Sequence, residues 1–447
     1  MMEDQQKLLN DVIELVWGPC IQPQLFKRWS QGFVFSSEEA TALLQTMGGP
    51  CSIIAPVQAF LLKNLTLNYS MEQLKQVSAA AVDGYLAASL SEILCLCAVE
   101  ACRAPEIHLS HHNGDDSEYE SSLKLRLVAP ERECVSQEEY EASRHDSSDP
   151  AFQHSRLRIQ EFQSRGDLSE HVKSHLSDFK AELGVLCFLY SALLTRGVAK
   201  GSACFGESEP LISGEEAHGE QSLLNLLITG TPSSHVFDGA RDLGGMKLLG
   251  VWRRPSVGLL HLQEHYRQLK VGWYLKNPLH PVWLCASQHH ITVVFSLQRE
   301  LVCPSSDVER GQQVFSWYDT EGNNFIQRDQ LLPVLQHLGL CTDEQFIKFM
   351  CQELDPDNMG VILYHKFQDA FFSGQELHPP PDTFTLFHYN GLPASNPDKK
   401  VQYAKGYVTR QETLVPFDSL HDLTACLSSK WPNIELQWEA NFKPSMN

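Results

Sequence analysis

The residue types best suited to covalent chemistry in this 447-residue chain are a cysteine behind a Gly-Gly-Pro breaker and a His-His pair far downstream. The cysteine sits in LLQTMGGPCSIIAPVQAFLL, residues 43–62. Gly48, Gly49 and Pro50 cannot continue a helix, so a new helix is predicted to begin at or just after Cys51. Pro56 agrees, because a missing N–H is tolerated near a helix start. Ile53, Val57, Phe60 and Leu61 would form the core-facing stripe of that helix. Cys51 then lies at the positive end of an anchored helix, which favours thiolate, the form that attacks carbonyls. The paired glycines would let a substrate backbone approach without side-chain obstruction. On these features alone a core cysteine at a helix cap is an equal reading.

A thiol needs a base, and SQHHITVV at residues 287–294 offers one. Strand alternation would put His289 with Ile291, Val293 and Phe295 on the apolar face, and His290 with Thr292 toward a cleft. His290 is therefore the expected base and acid, with His289 a packed or hydrogen-bonded neighbour. Two ordinary histidines leading into a strand is the plain alternative. Cysteine first on a helix tip and histidine later on a strand is the order of papain-like proteases. Those proteases also carry an oxyanion-hole glutamine six positions before the cysteine, where this chain has Gln45.

Scattered elements must bring these groups together. Residues 1–105 read as mostly helical, with LLNDVIELVW first and an Ala/Leu-rich run from Met71 to about Ala104. Residues 106–165 are polar, acidic and aperiodic, and read as a surface insertion at least partly without fixed structure. A periodic helix is predicted from about Leu168 to Arg196, followed by the loop GESEPLISGEEAHGEQS. Residues 223–301 mix helices with β-rich runs and end in a core strand over Ile291–Leu297. DTFTLFHYN, VQYAKGYV and IELQWEA, within residues 380–447, read as strands, with one helix around Ser419–Ser429. Strand-rich pieces this far apart imply an α+β core with insertions, divided at 1–105, 106–165, 166–304, 305–373 and 374–447.

The formal charge of −20, from 35 basic and 55 acidic residues, argues against nucleic acid and suits a neutral or basic protein partner. Thirteen cysteines, an odd count without framework spacing, read as reduced thiols of cytosol or nucleus. Cys95, Cys97 and Cys102 read as part of a helix face rather than a metal site. The first residues carry no export pattern, and no run approaches about 18 uninterrupted apolar residues, so no membrane span is expected.

DTEGNNFIQRDQ from Asp319 and DPDNMGVILYHK from Asp355 have the spacing of paired EF-hand loops. The first lacks glycine at position 6 (Asn324) and glutamate at position 12 (Gln330). The second has Met359 at position 5 and Lys366 at position 12. A lost bidentate carboxylate and an added cation weaken calcium, so the pair reads as a structural or partner-binding module, with Ile326 and Ile362 at position 8. HLQEH, His261–His265, matches an inverted zinc-protease pattern. Five residues make a weak match, no third ligand is identifiable, and Leu259, Leu262, Tyr266 and Leu269 would form a core stripe with the histidines on its flank. No cofactor is expected.

FKRWSQGFVFS, GGPCSIIAPVQAFLL, NLLITGTPSSHVFDG, VGWYLKNPLHPVWLCASQHHITVVFSL and KWPNIELQWEANFKPSMN together resemble the MINDY family of deubiquitinases. The resemblance spans both ends and the middle of the chain, apart from residues 106–165. The paired loops point to the family branch with an EF-hand-like insert. It implies a papain-like cysteine protease core that prefers lysine-48-linked polyubiquitin, with Cys51 as nucleophile, His290 as base and acid, and Gln45 at the oxyanion. Cys51 would attack the carbonyl joining ubiquitin to lysine, His290 would protonate the leaving amine, and water would free the thioester. With the paired loops removed, TLFHYNGLP follows the His290 strand closely, which would allow Asn390 to orient the imidazole. Asn-Gly between apolar runs is a hairpin signal, however, and the turn is the favoured reading. Polyubiquitin and ubiquitinated proteins are the implied partners of a monomer in cytoplasm or nucleus. The rival is an idle scaffold that binds ubiquitin or another partner through the paired-loop module.

Overall fold

The computed structural model of the chain describes residues 2–102, 122–131, 149–197, 210–213, 218–243, 246–302, 306–319, 323–373, 381–411, 420–439 and 443–447. VWLCA and ITVVF are almost wholly apolar because they become central strands covered on both faces. They lie in a six-stranded sheet ordered Ile434–Trp438, Ala404–Arg410, Thr383–Tyr389, Ile291–Phe295, Val282–Ala286, Gly258–His261. All neighbours pair antiparallel except the last two, which are parallel. Leu284, Val293 and Phe295 face a helical lobe, whereas Trp283, Cys285 and Val294 face the Asp422–Ser428 helix. The period-2 assignment of Ile291, Val293 and Phe295 to one face therefore holds. The architecture is α+β.

The helical lobe is built around Cys51–Thr66, Ala79–Cys102 and Gly184–Arg196. Every residue from Cys51 to Lys63 is buried, so the expected one-sided stripe is instead a helix enclosed on all sides. Gln58 tolerates that burial because its amide is fully used: Oε1 accepts from the Leu43 N–H at 2.7 Å and Nε2 donates to the Thr41 carbonyl at 3.0 Å. Ala79–Cys102 is long and apolar enough by composition to cross a membrane, although, as the sequence implies, Asp83, Glu92 and Glu100 interrupt its apolar run. Leu86, Leu90, Ile93, Leu94 and Cys97 of that helix are buried in the protein's own core.

Two further expectations are corrected. The helix predicted over 168–196 is three helices, Arg165–Ser174, Leu176–Lys180 and Gly184–Arg196, with Leu183 in the left-handed region at φ 71°. Tertiary bonding overrides the periodicity there: the Phe33 N–H reaches the Phe179 carbonyl, and the Val185 N–H reaches the Gln31 carbonyl, both at 2.9 Å. The backbones approach so closely that a Cβ on Gly184 would lie 2.0 Å from the Phe179 oxygen. Within the 106–165 insertion, Leu125–Pro130 pairs antiparallel with Leu157–Phe162. Leu125, Leu127, Val128 and Leu157 are buried, and the Val128 N–H donates to Ser191 Oγ at 2.8 Å. Acidic flanks concealed this hairpin in the sequence; residues 103–121 and 132–148 lie outside the described residues.

HLQEH is not a helix: Gly258–His261 is the parallel edge strand, and Leu262–His265 is a single turn capped by His261 Nδ1 accepting from the Gln263 N–H. His261 ends a strand and its Nδ1 is taken by the Gln263 N–H, so the two histidines do not share the continuous helix that the zinc pattern requires. The paired-loop segment comprises helices Asp307–Tyr318, Leu331–Leu338, Glu344–Leu354 and Tyr364–Phe372, joined by a short ladder in which Ile326 opposes Ile362. It enters between Ile291–Phe295 and Thr383–Tyr389, which are sheet neighbours, so the sheet closes across the insertion. In both loops the first aspartate bonds its own backbone: Asp319 accepts from the Asn323 and Asn324 N–H groups, and Asp355 from those of Met359 and Gly360. Arg328 adds a guanidinium to the second loop, bonded to Asn358 Oδ1 at 2.6 Å and 3.9 Å from Asp355.

Two glycines give opposite expectations. Gly184→Ala forces a carbonyl collision and should lower stability in a denaturant titration by roughly 2–3 kcal/mol. Gly84 has nothing within 4 Å of its notional Cβ in the Ala79–Cys102 helix. Gly84→Ala should therefore be neutral or gain about 0.5–1 kcal/mol. Equal effects at the two sites would contradict the packing described.

Candidate active site

Cys51 is the first residue of its helix, as the Gly-Gly-Pro breaker predicts, with Gly49 at φ 129° just before it. The preceding loop is held from one side. Gln31 Oε1 accepts from the Thr46 N–H and hydroxyl, both at 2.8 Å, and Gln31 Nε2 donates to the Met47 carbonyl at 3.0 Å. Arg28 Nε donates to the Gly48 carbonyl at 2.9 Å. Gln31 is itself fixed by the 181–185 corner through Val185, so the broken helix helps to set the cysteine loop. Gln45 is buried, its Nε2 donating to the Met47 carbonyl at 3.0 Å.

His290 stands immediately before the Ile291–Phe295 strand rather than within it, closing a turn in which its N–H donates to Ser287 Oγ at 3.0 Å. The sheet register pairs Val293 with Tyr389. Carried one step further, that register sets Asn390 opposite Thr292, on the side His290 shares. His290 Nε2 and Asn390 Oδ1 are 3.0 Å apart. The favoured hairpin reading of Asn390-Gly391 is thereby corrected: the partner strand begins only at Ala404, and Asn390 is a buried partner of the imidazole. His289, expected as a packed or hydrogen-bonded neighbour, has an exposed side chain whose ring lies 5.9 Å from that of His218, while its N–H donates to Ser287 Oγ at 3.3 Å.

Two bonds stitch the cysteine side to this turn. The Tyr389 hydroxyl donates to the Leu43 carbonyl at 2.6 Å, and the Gln45 N–H donates to the Gly391 carbonyl at 2.8 Å. Cys51 and His290 consequently line one groove of about 590 Å³, together with His218, Arg241, His261 and Lys270. The Ile291 N–H lies near enough to the Cys51 sulfur to favour its thiolate form, and the thiol approaches the Gly49 carbonyl at 3.8 Å. Gln45, Cys51, His290 and Asn390 are thus gathered at one place. Gln31, Gln58 and Tyr389 escaped sequence reasoning. Gln58 alone left a signal, as a polar residue inside an otherwise apolar helix.

Burial decides the resting charge state. It pushes the Cys51 thiol up to about 11, against the smaller downward pull of the Ile291 and Ser52 N–H groups. Burial also takes His290 down to about 4, with the Asn390 bond raising it and His218 lowering it. The expectation that a helix N-terminus yields thiolate is corrected: desolvation outweighs the helix end, and the free site holds a thiol beside a neutral imidazole.

Residues 14–333 match the conserved domain described as deubiquitinating enzyme MINDY-3/4. The chain belongs to the MINDY-3/4 family. MINDY-3, a ubiquitin carboxyl-terminal hydrolase, is 38% identical in Danio rerio over 453 residues, covering all of both chains. The Homo sapiens MINDY-3 is 38% identical over 451 residues, covering 99% of this chain and all of the relative. A Drosophila melanogaster MINDY-3 homolog is 37% identical over 471 residues, covering 98% of this chain and 83% of its own. No solved structure matches the chain. In this MINDY-3/4 member the family match spans both Cys51 and His290 but stops before Asn390.

The charge state has a kinetic signature. Alkylation of Cys51 in the free protein by iodoacetamide should climb steadily with pH toward the thiol value of about 11. A flat, fast plateau between about pH 5 and 8 would instead reveal a preformed thiolate–imidazolium pair.

Proposed function

We propose that this deubiquitinase hydrolyses isopeptide bonds of lysine-48-linked polyubiquitin by thiol catalysis on a papain-like core. The observation that carries this reading is the meeting of Cys51 and His290 on one groove, with Asn390 bonded to the imidazole. His290 engages Asn390 through Nε2, so proton exchange with Cys51 falls to Nδ1. In the substrate complex the neutral imidazole accepts the thiol proton as the sulfur attacks the carbonyl joining ubiquitin to lysine. The imidazolium then protonates the departing amine, and a water activated by the restored base cleaves the thioester.

The oxyanion needs two donors. Gln45 Nε2 carries two hydrogens, and the one given to the Met47 carbonyl fixes the amide plane while the other stays available. The second donor is the Cys51 backbone N–H, one of the first-turn amides that no helix carbonyl can take. The lysine-48 preference comes to this chain from the family resemblance.

Full-length protein treated with an electrophilic ubiquitin probe should gain one ubiquitin, and Cys51→Ala should gain none. Absence of labelling in the wild type would favour the scaffold reading. Asn390→Ala should cut turnover about tenfold or more while the melting temperature shows a folded protein. Unchanged turnover would remove Asn390 from the mechanism.

The paired-loop segment is read as EF-hand-like with a guanidinium in place of calcium. Among the described residues no group of three or more His, Cys, Asp or Glu side chains could hold a metal ion. Arg328 supplies positive charge beside Asp355, and Gln330 and Lys366 stand where a bidentate glutamate would complete each loop. Millimolar calcium should leave the melting temperature unchanged. A rise of several degrees, reversed by a chelator, would contradict this.

A further inference from the structure

We propose that the segment Ser445–Asn447 is a positioning element for His290, fixing the tautomer and tilt of the imidazole from beneath. This rests on the Cys51–His290 reading above. Met446 is buried among Trp283, Cys285 and Val294, on the sheet face opposite the helical lobe, and Pro444 is also buried. From that anchor the segment bonds both groups that hold the histidine.

The first bond sets the Asn390 amide. Asn390 Nδ2 donates to the Ser445 carbonyl at 3.1 Å, while Oδ1 accepts from the Leu392 N–H at 3.0 Å. A carbonyl can only accept and a backbone N–H can only donate, so a flipped amide would lose both bonds. With Oδ1 thus fixed toward His290 Nε2, that nitrogen must carry the hydrogen, which leaves Nδ1 with the lone pair a base requires. Ser445 therefore dictates, through Asn390, which imidazole nitrogen faces the thiol.

The second bond sets the turn. The Ser287 hydroxyl accepts from the His290 N–H at 3.0 Å and approaches Asn447 Oδ1 at 2.7 Å and the His290 carbonyl at 3.0 Å. The hydroxyl has one hydrogen, and the His290 carbonyl is already served by the Ser287 N–H at 2.9 Å. The shorter contact takes it, so Asn447 orients Ser287, and Ser287 holds the His290 backbone. The segment is folded on itself by Ser445 Oγ, which accepts from the Asn447 N–H at 3.0 Å.

The test measures turnover of a ubiquitin–lysine isopeptide substrate by the full chain, by a variant lacking residues 445–447, and by Asn447→Ala and Asn447→Asp. Removal of the segment should lower kcat about tenfold or more, hold KM within about twofold, and shift the acid limb of kcat/KM. Asn447→Ala should lose part of kcat with the same shift, and Asn447→Asp, whose carboxylate still accepts from Ser287, should restore it. Should the deletion fail to fold, the Asn447 pair decides. Wild-type kcat and acid limb in the deletion, or in Asn447→Ala, would overturn the proposal, as would a loss that follows only the unfolded fraction. Cys51→Ala is run alongside: if it stays active the Cys51–His290 reading falls and takes this inference with it, whereas an inactive Cys51→Ala beside an unaffected segment variant sinks the inference alone.

Discussion

The seam between Leu43–Gln45 and Tyr389–Gly391 is the constraint on which the site depends. It joins segments 346 positions apart through the Tyr389 hydroxyl on the Leu43 carbonyl, and again through the Gln45 N–H on the Gly391 carbonyl. Everything on the cysteine side hangs from it. Gln58 in the Cys51 helix holds the Leu43 N–H, and Gln31 and Arg28 hold the loop between Gln45 and Cys51. On the other side the antiparallel register of Thr383–Tyr389 with Ile291–Phe295 carries Asn390 to His290. The polar groups of the seam are buried and bonded, so any shift of one lobe against the other would strand donors and acceptors at about 1–3 kcal/mol each. That cost defines a single relative position for thiol and imidazole.

The same burial that makes the seam rigid keeps the chemistry quiet in the absence of substrate. A helix end is worth perturbations near 1 kcal/mol, whereas taking a thiolate out of water costs several times more. Cys51 and His290 consequently rest as neutral partners. Ionisation then belongs to the substrate-bound state, in which Gln45 and the helix end meet a forming oxyanion. A neutral thiol also reacts far more slowly with oxidants than a thiolate does.

Much of this was legible in the chain. The helix start at Cys51 was readable because Gly48, Gly49 and Pro50 leave it no other place, and the alternation of Ile291, Val293 and Phe295 was readable because period 2 is a geometric property of strands. Asn390 was misread because Asn-Gly is a local signal, whereas its position is set by a register formed across the paired-loop insertion. The helix over 168–196 was overextended because apolar periodicity continues through Leu183, while the break is imposed by bonds to Gln31 and Phe33. The Leu125–Pro130 strand was hidden by acidic flanks whose polarity says nothing about the six residues between them. Thiolate was expected at Cys51 because sequence reveals the helix end but not the depth of burial.

The most direct measurement is a crystal structure of the protein joined covalently to ubiquitin through an electrophile at the ubiquitin C-terminus. The account predicts the bond at Cys51, His290 Nδ1 within about 3–4 Å of the sulfur, Nε2 still on Asn390, and the Leu43–Tyr389 and Gln45–Gly391 bonds intact. An adduct on another cysteine, or a His290 ring turned away from the sulfur with Asn390 bonded elsewhere, would contradict it.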